Sequence, residues 1–173
     1  MTADQVTAPS AGPEVFRSLM STLPAGVAVV TTADVDGTPW GLTCSTVCGV
    51  AMDPPTLLVC LRDESPTLHA MRRTSAFAVN LLHEAARDTA ELFASGAADR
   101  FDRVEWTRSP HGASPHLEGA AHAIADCRIT GTVGIGDHVV VFGEVLGVRH
   151  PTEDERVPLL YGFRRYSSWP VEP

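Results

Sequence analysis

The sequence predicts a mainly β fold, an antiparallel barrel with a few inserted helices, and three observations carry that expectation. Runs of strand length rich in Val, Leu and Thr recur through the chain: "GVAVVTT", "TLLVCLR" (56–62), "AFAVNLL" (76–82) and "DHVVVFGEVLGV". Turn signals, "ADVDG" and Gly134-Ile-Gly136-Asp137, join neighbouring runs and pair them as hairpins. The helical patterns are short and few, without the regular strand–helix alternation of a doubly wound fold. About seven strands in mostly antiparallel order suit a Greek-key barrel.

Each element has a local reason. Pro13 is pre-set for a first helical position, and Val15, Phe16, Leu19 and Leu23 fall on one stripe, predicting a helix over 13–23 that Pro24-Ala-Gly26 ends. "GVAVVTT" and "PWGLTCSTVCGV" flank the "ADVDG" turn and read as a hairpin. The runs 56–62 and 76–82 are continuously apolar, as strands buried on both faces are. Between them Ser65 offers an N-cap and Pro66 a first helical residue for a helix to Arg73. "EAARDTAELFA" is a further short helix with Ala86, Thr89, Ala90 and Phe93 on one side. Residues 95–116 read as a long irregular loop, "EGAAHAIADCRITGTV" and "DHVVVFGEVLGVRH" as one long hairpin, and "VPLLYGFRRYSSW" as a last strand.

Composition sets the bounds. At 173 residues the chain is one domain by length, able to bury about 70% of the surface its unfolded chain exposes. We expect that domain over 13–169, with disordered tails at 1–12 and 170–173. A net charge of −8 without a basic run argues against a nucleic-acid partner. Neither a signal peptide nor a membrane-length apolar run is visible, so a cytoplasmic protein is expected. Cys44, Cys48, Cys60 and Cys127 lack paired metal-ligand spacing and read as small core residues, with no metal expected.

Four features carry chemistry. "GLTCSTVCGVAMDPP" (41–55) places Thr43, Cys44, Ser45, Thr46 and Cys48 in what otherwise reads as a buried strand, where each buried hydroxyl needs a partner or costs about 1–3 kcal/mol. A flat heteroaromatic ligand could meet them, and so could neighbouring strands. The Ser65-Pro66-Thr67 helix start is either a plain N-cap or an anion site built from free N–H groups and two hydroxyls. Asn80, polar within "AFAVNLL", must find partners in a ligand amide or in nearby backbone. His138, at the mouth of the long hairpin, is a candidate substrate contact or an exposed residue without a task. No Walker, GxSxG or GxGxxG pattern occurs.

In order and spacing, "LPAGVAVVTT", "GLTCSTVCGVAMDPP", "LLVCLRDESPT", "FAVNLL" with "ELFA", "DRF" before Trp106, "PHLEGAAHAIADC", "GDHVVVFGEV" and "PLLYGFRRY" resemble the flavin reductase-like family from about Phe16 to Tyr166. The resemblance implies an FMN-binding split barrel that reduces FMN or FAD with NADH or NADPH and, as a homodimer, supplies reduced flavin to a separate flavin-dependent monooxygenase. It places Thr43, Cys44, Ser45 and Thr46 along the flavin, Ser65 and Thr67 on its phosphate, His138 beside the nicotinamide, and Arg100 and Phe101 on a covering loop. It further assigns Asp53, Pro55, Cys60, Asn80, Phe93 and Tyr166 to the cofactor site. Cys44 stands where Ala or Val is more familiar, and Ala51 where a Ser often precedes Asp-Pro-Pro, departures that bear on flavin preference. A non-catalytic flavin-binding module and a split-barrel oxidase of another small molecule are the competing readings.

Overall fold

The computed structural model describes residues 10–112, 114–151 and 156–169. In chain order these form α1 (Pro13–Ser21), β1 (Ala25–Gly26), β2 (Ala28–Ala33), β3 (Pro39–Cys44), β4 (Val47–Met52), β5 (Pro55–Arg62), α2 (Pro66–Thr74) and β6 (Ala76–Leu82). A 3-10 turn (Glu84–Ala86) leads into α3 (Arg87–Ser95), followed by β7 (Thr107–Arg108), β8 (Pro115–His116), β9 (Ala121–Ile135), β10 (His138–Arg149), β11 (Leu159–Gly162) and β12 (Arg165–Ser168). Residues 10–12 are exposed and irregular, while 1–9 and 170–173, where most of the expected tails fall, lie outside the described residues.

Seven strands make one antiparallel sheet in the order β3-β2-β6-β9-β10-β5-β4. The segment expected to run as a single strand through 39–50 is two strands, broken at Ser45-Thr46. Thr and Ser sit comfortably in strands, so nothing local announces the break. Its consequence is global: β3 pairs with β2 at one edge of the sheet and β4 pairs with β5 at the other. Two residues can join opposite edges only if the sheet curls until those edges meet. They do meet, with Cys44 Sγ 3.8 Å from the Cys60 carbonyl oxygen. Inside the curl Val30, Val59, Leu61, Met71, Phe77 and Val141 form the main core. Gly143 gives Phe77 its room, because a Cβ there would overlap the ring.

The helices close the ends. α2 buries Thr67, Leu68, Ala70 and Met71 and stops at Ser75, whose left-handed backbone (φ 55°) turns the chain into β6. α3 follows the 3-10 turn and buries the expected face through Ala86, Ala90 and Phe93, in a second core with Val29, Leu82, Phe101 and Leu117. α1 starts at Pro13 as expected and ends at Ser21, but its stripe is left bare by the described residues: Val15, Phe16, Leu19 and Leu23 are each more than half exposed.

Four further expectations change. The last run folds as the β11–β12 hairpin rather than as one strand, turning through Phe163 and Arg164 with φ of 50° and 58°. Two positive φ values ordinarily call for Asn-Gly, which the sequence lacks. The loop 95–116 carries the small β7–β8 ladder. β6 is buried along most of its length, whereas β5 fully buries only Val59 and Leu61. Cys44 and Cys127 are buried and Cys60 half-buried, but Cys48 is exposed on β4.

Candidate active site

Where β3 leaves the sheet, a cleft of about 430 Å³ opens between Leu42–Thr46, Cys60–Arg62, Glu64–Ser65 and His138. The break at Ser45-Thr46 builds one wall, since both residues lie outside the strand ladders and are exposed. The Ser45 hydroxyl is open to a ligand, while the Thr46 hydroxyl and carbonyl lie 3.6 and 3.7 Å from the Cys44 thiol. Thr43 is committed instead, its hydroxyl donating to the Ala90 carbonyl of α3 at 2.6 Å. Cys44 is 5% exposed and reaches Cys60 across the seam. Burial, then the neighbouring Cys44, pushes the Cys60 thiol above its ordinary value, so this wall is neutral.

The opposite wall is the start of α2. Ser65 has the extended backbone of an N-cap (φ −65°, ψ 123°) and Pro66 follows it, yet the Ser65 side chain makes no cap hydrogen bond. A plain N-cap would spend that hydroxyl on the N–H of the second or third helical residue. Here the hydroxyl and the first-turn N–H groups remain together beside the cleft, the arrangement an anion needs. Arg62 adds a cation and Glu64 an anion to the same rim.

His138 enters through the β5–β10 ladder, where it is the register partner of Arg62. Its Nδ1 lies 2.7 Å from Asp137 Oδ1, and the hydrogen bond from this ring, then its charge, holds the Asp137 carboxyl below its ordinary value. A carboxylate only accepts, so Nδ1 carries the hydrogen and Nε2 is left for a ligand. The side chain is 45% exposed, which keeps it reachable.

Of the residues expected at a cofactor, Thr43, Cys44, Ser45, Thr46, Cys60, Ser65 and His138 converge on this cleft. Asn80 does not: it is wholly buried, donating to the Val29 and Pro115 carbonyls and to Thr31 Oγ1 while accepting from the Leu117 N–H at 2.8 Å. Its amide is consumed by the fold. Phe93 and Phe101 are core residues in edge-to-face contact, ring centroids 5.1 Å apart, rather than a cover. Arg100 is half-buried, with Nη1 on the Ala97 carbonyl and a buried Nε lacking a partner among the described residues. Thr67 is 2% exposed and turned into the body of the domain. Asp53 and Pro55 are exposed at the β4–β5 turn, the far end of β5 from the cleft. Tyr166 lines a neighbouring pocket of about 450 Å³ that shares Thr43 and Ser45 with the cleft. Arg62 and Glu64 are cleft residues that the sequence reading passed over. Their signal was present, as charged residues between an apolar strand and an N-cap.

A curled antiparallel sheet, sealed at Cys44 and Cys60 and open beside a helix start, is a small split β-barrel. The chain is a member of the flavin reductase like domain family, which it matches over residues 20–170. It is similar to a flavin reductase (NADPH) of Lentzea aerocolonigenes, 46% identical over 156 residues that cover 90% of this chain and 89% of that one. It is also similar to the reductase subunit of a flavin-dependent monooxygenase of Rhodococcus jostii, 34% identical over 97% of this chain and 83% of the relative. An NADH:FAD oxidoreductase of Streptomyces globisporus, solved in complex with NAD and FAD fragments, superposes with a TM-score of 0.84 at 27% identity, covering 94% of this chain and 98% of that one. Among the described residues no helix is long and apolar enough to cross a membrane.

Proposed function

We propose that the protein is an NAD(P)H:flavin oxidoreductase that reduces FMN or FAD and supplies the reduced flavin to a separate flavin-dependent monooxygenase. The observation that carries this reading is the α2 start, an N-cap serine whose hydroxyl is left unspent at the mouth of a cleft walled by the exposed Ser45 and Thr46. The residues present fit a flavin. Ser65 and the first-turn N–H groups of α2 suit its phosphate, with Arg62 adding charge. Ser45 and Thr46, outside the ladders, offer hydrogen bonds to the polar edge of the ring, and the protonated thiol of Cys60 offers it a neutral, polarisable face.

A flavin held by Ser45, Thr46, Ser65 and the first-turn N–H groups of α2 would supply the redox chemistry, as the acceptor of the nicotinamide's hydride. The chain's task is to bind and orient. Asp137 fixes the His138 ring through Nδ1, and Nε2, left unpaired by that bond, would hold the nicotinamide. No acid or base is demanded of His138, because hydride transfer moves no separate proton in that step. Thr43 anchors α3 against the end of β3, so the wall carrying Ser45 keeps its position.

A homodimer is part of the proposal. The bare α1 stripe and the exposed Val50 and Met52 of β4 are apolar surface of the kind a second copy covers. Asp53 and Pro55, remote from this chain's cleft, would meet a cofactor only across that interface. The cytoplasm is the compartment that suits four free cysteines. Two linked measurements test the function. Under nitrogen, FMN or FAD mixed with the protein and NADH or NADPH should bleach within seconds. With low oxygen admitted, the protein, flavin and NAD(P)H on one side of a membrane that passes flavin but not protein, and a flavin-dependent oxygenase with its substrate on the other, oxygenated product should form. Flavin that stays yellow with both nicotinamides defeats the proposal.

A further inference from the structure

A site for a phosphate gathers positive charge, yet the start of α2 gathers little. Arg62 and Glu64 both line the cleft beside Ser65, so the rim holds one charge of each sign, and neither side chain has an ion-pair partner among the described residues. The other acids at this end are engaged: Asp63 meets Arg72 at 3.1 Å and Asp137 meets His138 at 2.7 Å. Three further arginines, Arg87, Arg164 and Arg165, line the neighbouring pocket and leave this rim as it is. Glu64 is the one carboxylate among the described residues of the cleft wall.

The backbone pins it there. The Ser65 N–H donates to the Arg62 carbonyl at 3.0 Å, which closes a turn with Asp63 and Glu64 at its centre, and the Asp63 N–H donates to the Asp137 carbonyl at 3.0 Å. Such a turn accepts most residues at its centre, so its geometry does not call for an acid. An acid beside a helix start is drawn to the same positive dipole end and the same N–H groups that an anionic ligand would use. Glu64 is therefore a competitor placed next to the unspent Ser65 hydroxyl.

We infer that Glu64 is a specificity-determining residue of the flavin site: its carboxylate opposes the phosphate held at the α2 start and so disfavours FMN relative to FAD. The inference rests on the flavin reductase reading of the cleft. The phosphate of FMN is a terminal monoester that approaches two negative charges at neutral pH. In FAD the same phosphate is esterified a second time and carries one, and riboflavin carries none. Repulsion scales with the charge of the ligand, so the penalty on the logarithm of affinity is up to twice as large for FMN as for FAD and vanishes for riboflavin. A phosphate site weakened in this way also releases its flavin sooner, which suits a protein that passes reduced flavin on.

The test is Glu64→Gln, which keeps the shape of the side chain and removes its charge. FMN, FAD and riboflavin are each titrated at low ionic strength into wild-type and variant protein, with flavin fluorescence as the readout. FMN should bind about tenfold tighter to the variant and FAD about threefold tighter, with riboflavin unchanged. Both gains should shrink in about 1 M salt, where screening acts over about 3 Å. Asp63→Asn is the control, since it removes the same charge one residue away from a side chain already held by Arg72, and it should leave all three affinities at their wild-type values. Equal tightening of FMN and FAD, tightening of riboflavin, no tightening at all, or the same gains from Asp63→Asn overturns the role of Glu64 and leaves the flavin reading standing, because wild-type protein still binds flavin. Wild-type protein that binds none of the three overturns both.

Discussion

Replacing Asn80 with Ala separates a structural role from a cofactor role at the position where sequence and structure part most clearly. The side chain ties β2 and β6 to the segment around β8, and after its removal the partners divide into two groups. The Pro115 carbonyl keeps the Thr31 hydroxyl at 2.6 Å, so it stays satisfied. The Leu117 N–H loses its acceptor while its residue is 1% exposed. One orphaned buried donor costs about 1–3 kcal/mol, and the small void left by the amide adds about 1 kcal/mol, giving about 2–4 kcal/mol. For a domain of this size each kcal/mol lowers the melting temperature by about 2–4 °C, so Asn80→Ala should melt about 4–16 °C below the parent. The assay pairs a thermal melt with an FMN titration at a temperature where both proteins are folded. Unchanged FMN affinity in a destabilised protein is the expected result. A variant as stable as the parent that no longer binds FMN would refute the reasoning and return Asn80 to the cofactor.

The other predictions address single contacts. Ser65→Ala should weaken FMN about tenfold while leaving riboflavin, which lacks the phosphate, unaffected; equal losses in equilibrium titrations would remove the phosphate from α2. His138→Ala should raise KM for the nicotinamide more than it lowers kcat, and a kcat loss recovered by changing pH would instead make the ring an acid or base. Gly143→Ala forces a methyl into Phe77, which is 1% exposed and cannot swing away, so urea unfolding should report a loss of about 1–3 kcal/mol; no loss would mean that the ring repacks freely. Burial pushes the Asp126 carboxyl up, but hydrogen bonds from His116, 2.8 Å away, and Ser109 outweigh it and hold the carboxyl below its ordinary 3.8. With the folded value depressed, this group's stabilisation is present above 3.8 and fades as pH falls through the folded value, and Asp126→Asn should flatten that acid limb of a urea-midpoint profile.

What the sequence made legible was what short-range chemistry decides. The strands at 56–62 and 76–82, the long hairpin at Gly136 and the buried face of α3 are set by side-chain period and turn residues, and they stand where expected. The Ser65-Pro66 start is a local signal too, although only coordinates show that the hydroxyl is unspent. The break at Ser45-Thr46 was invisible because it is enforced by closure of the sheet, with no Gly or Pro to mark it. The turn at Phe163-Arg164 was hidden for a similar reason, and with it the arginines of the second pocket. Phe93, Phe101 and Asn80 lie in the core and not on the cleft, a distinction hidden from the sequence because an aromatic or an amide looks alike whether it serves a ring or a core. Asn80's partners at Pro115 and Leu117 arrive from a distant loop that no local pattern connects to it.

The sheet order carries a consequence for biosynthesis. In the hydrogen-bond ladders of the described residues, β4 and β5 join the sheet through β10, and β6 is tied to that half of the barrel through β9. While the ribosome is still adding the first hundred residues, neither β9 nor β10 exists, and the β4–β5 hairpin has no strand to pair with along the free edge of β5. The nascent chain must carry that hairpin unpaired, a segment for chaperones to shield, until the last long hairpin emerges. The cleft follows the same timetable, since its walls combine residues 42–65 with His138. Flavin therefore cannot template early folding, and a nascent chain becomes able to capture it only after almost the whole polypeptide has been translated.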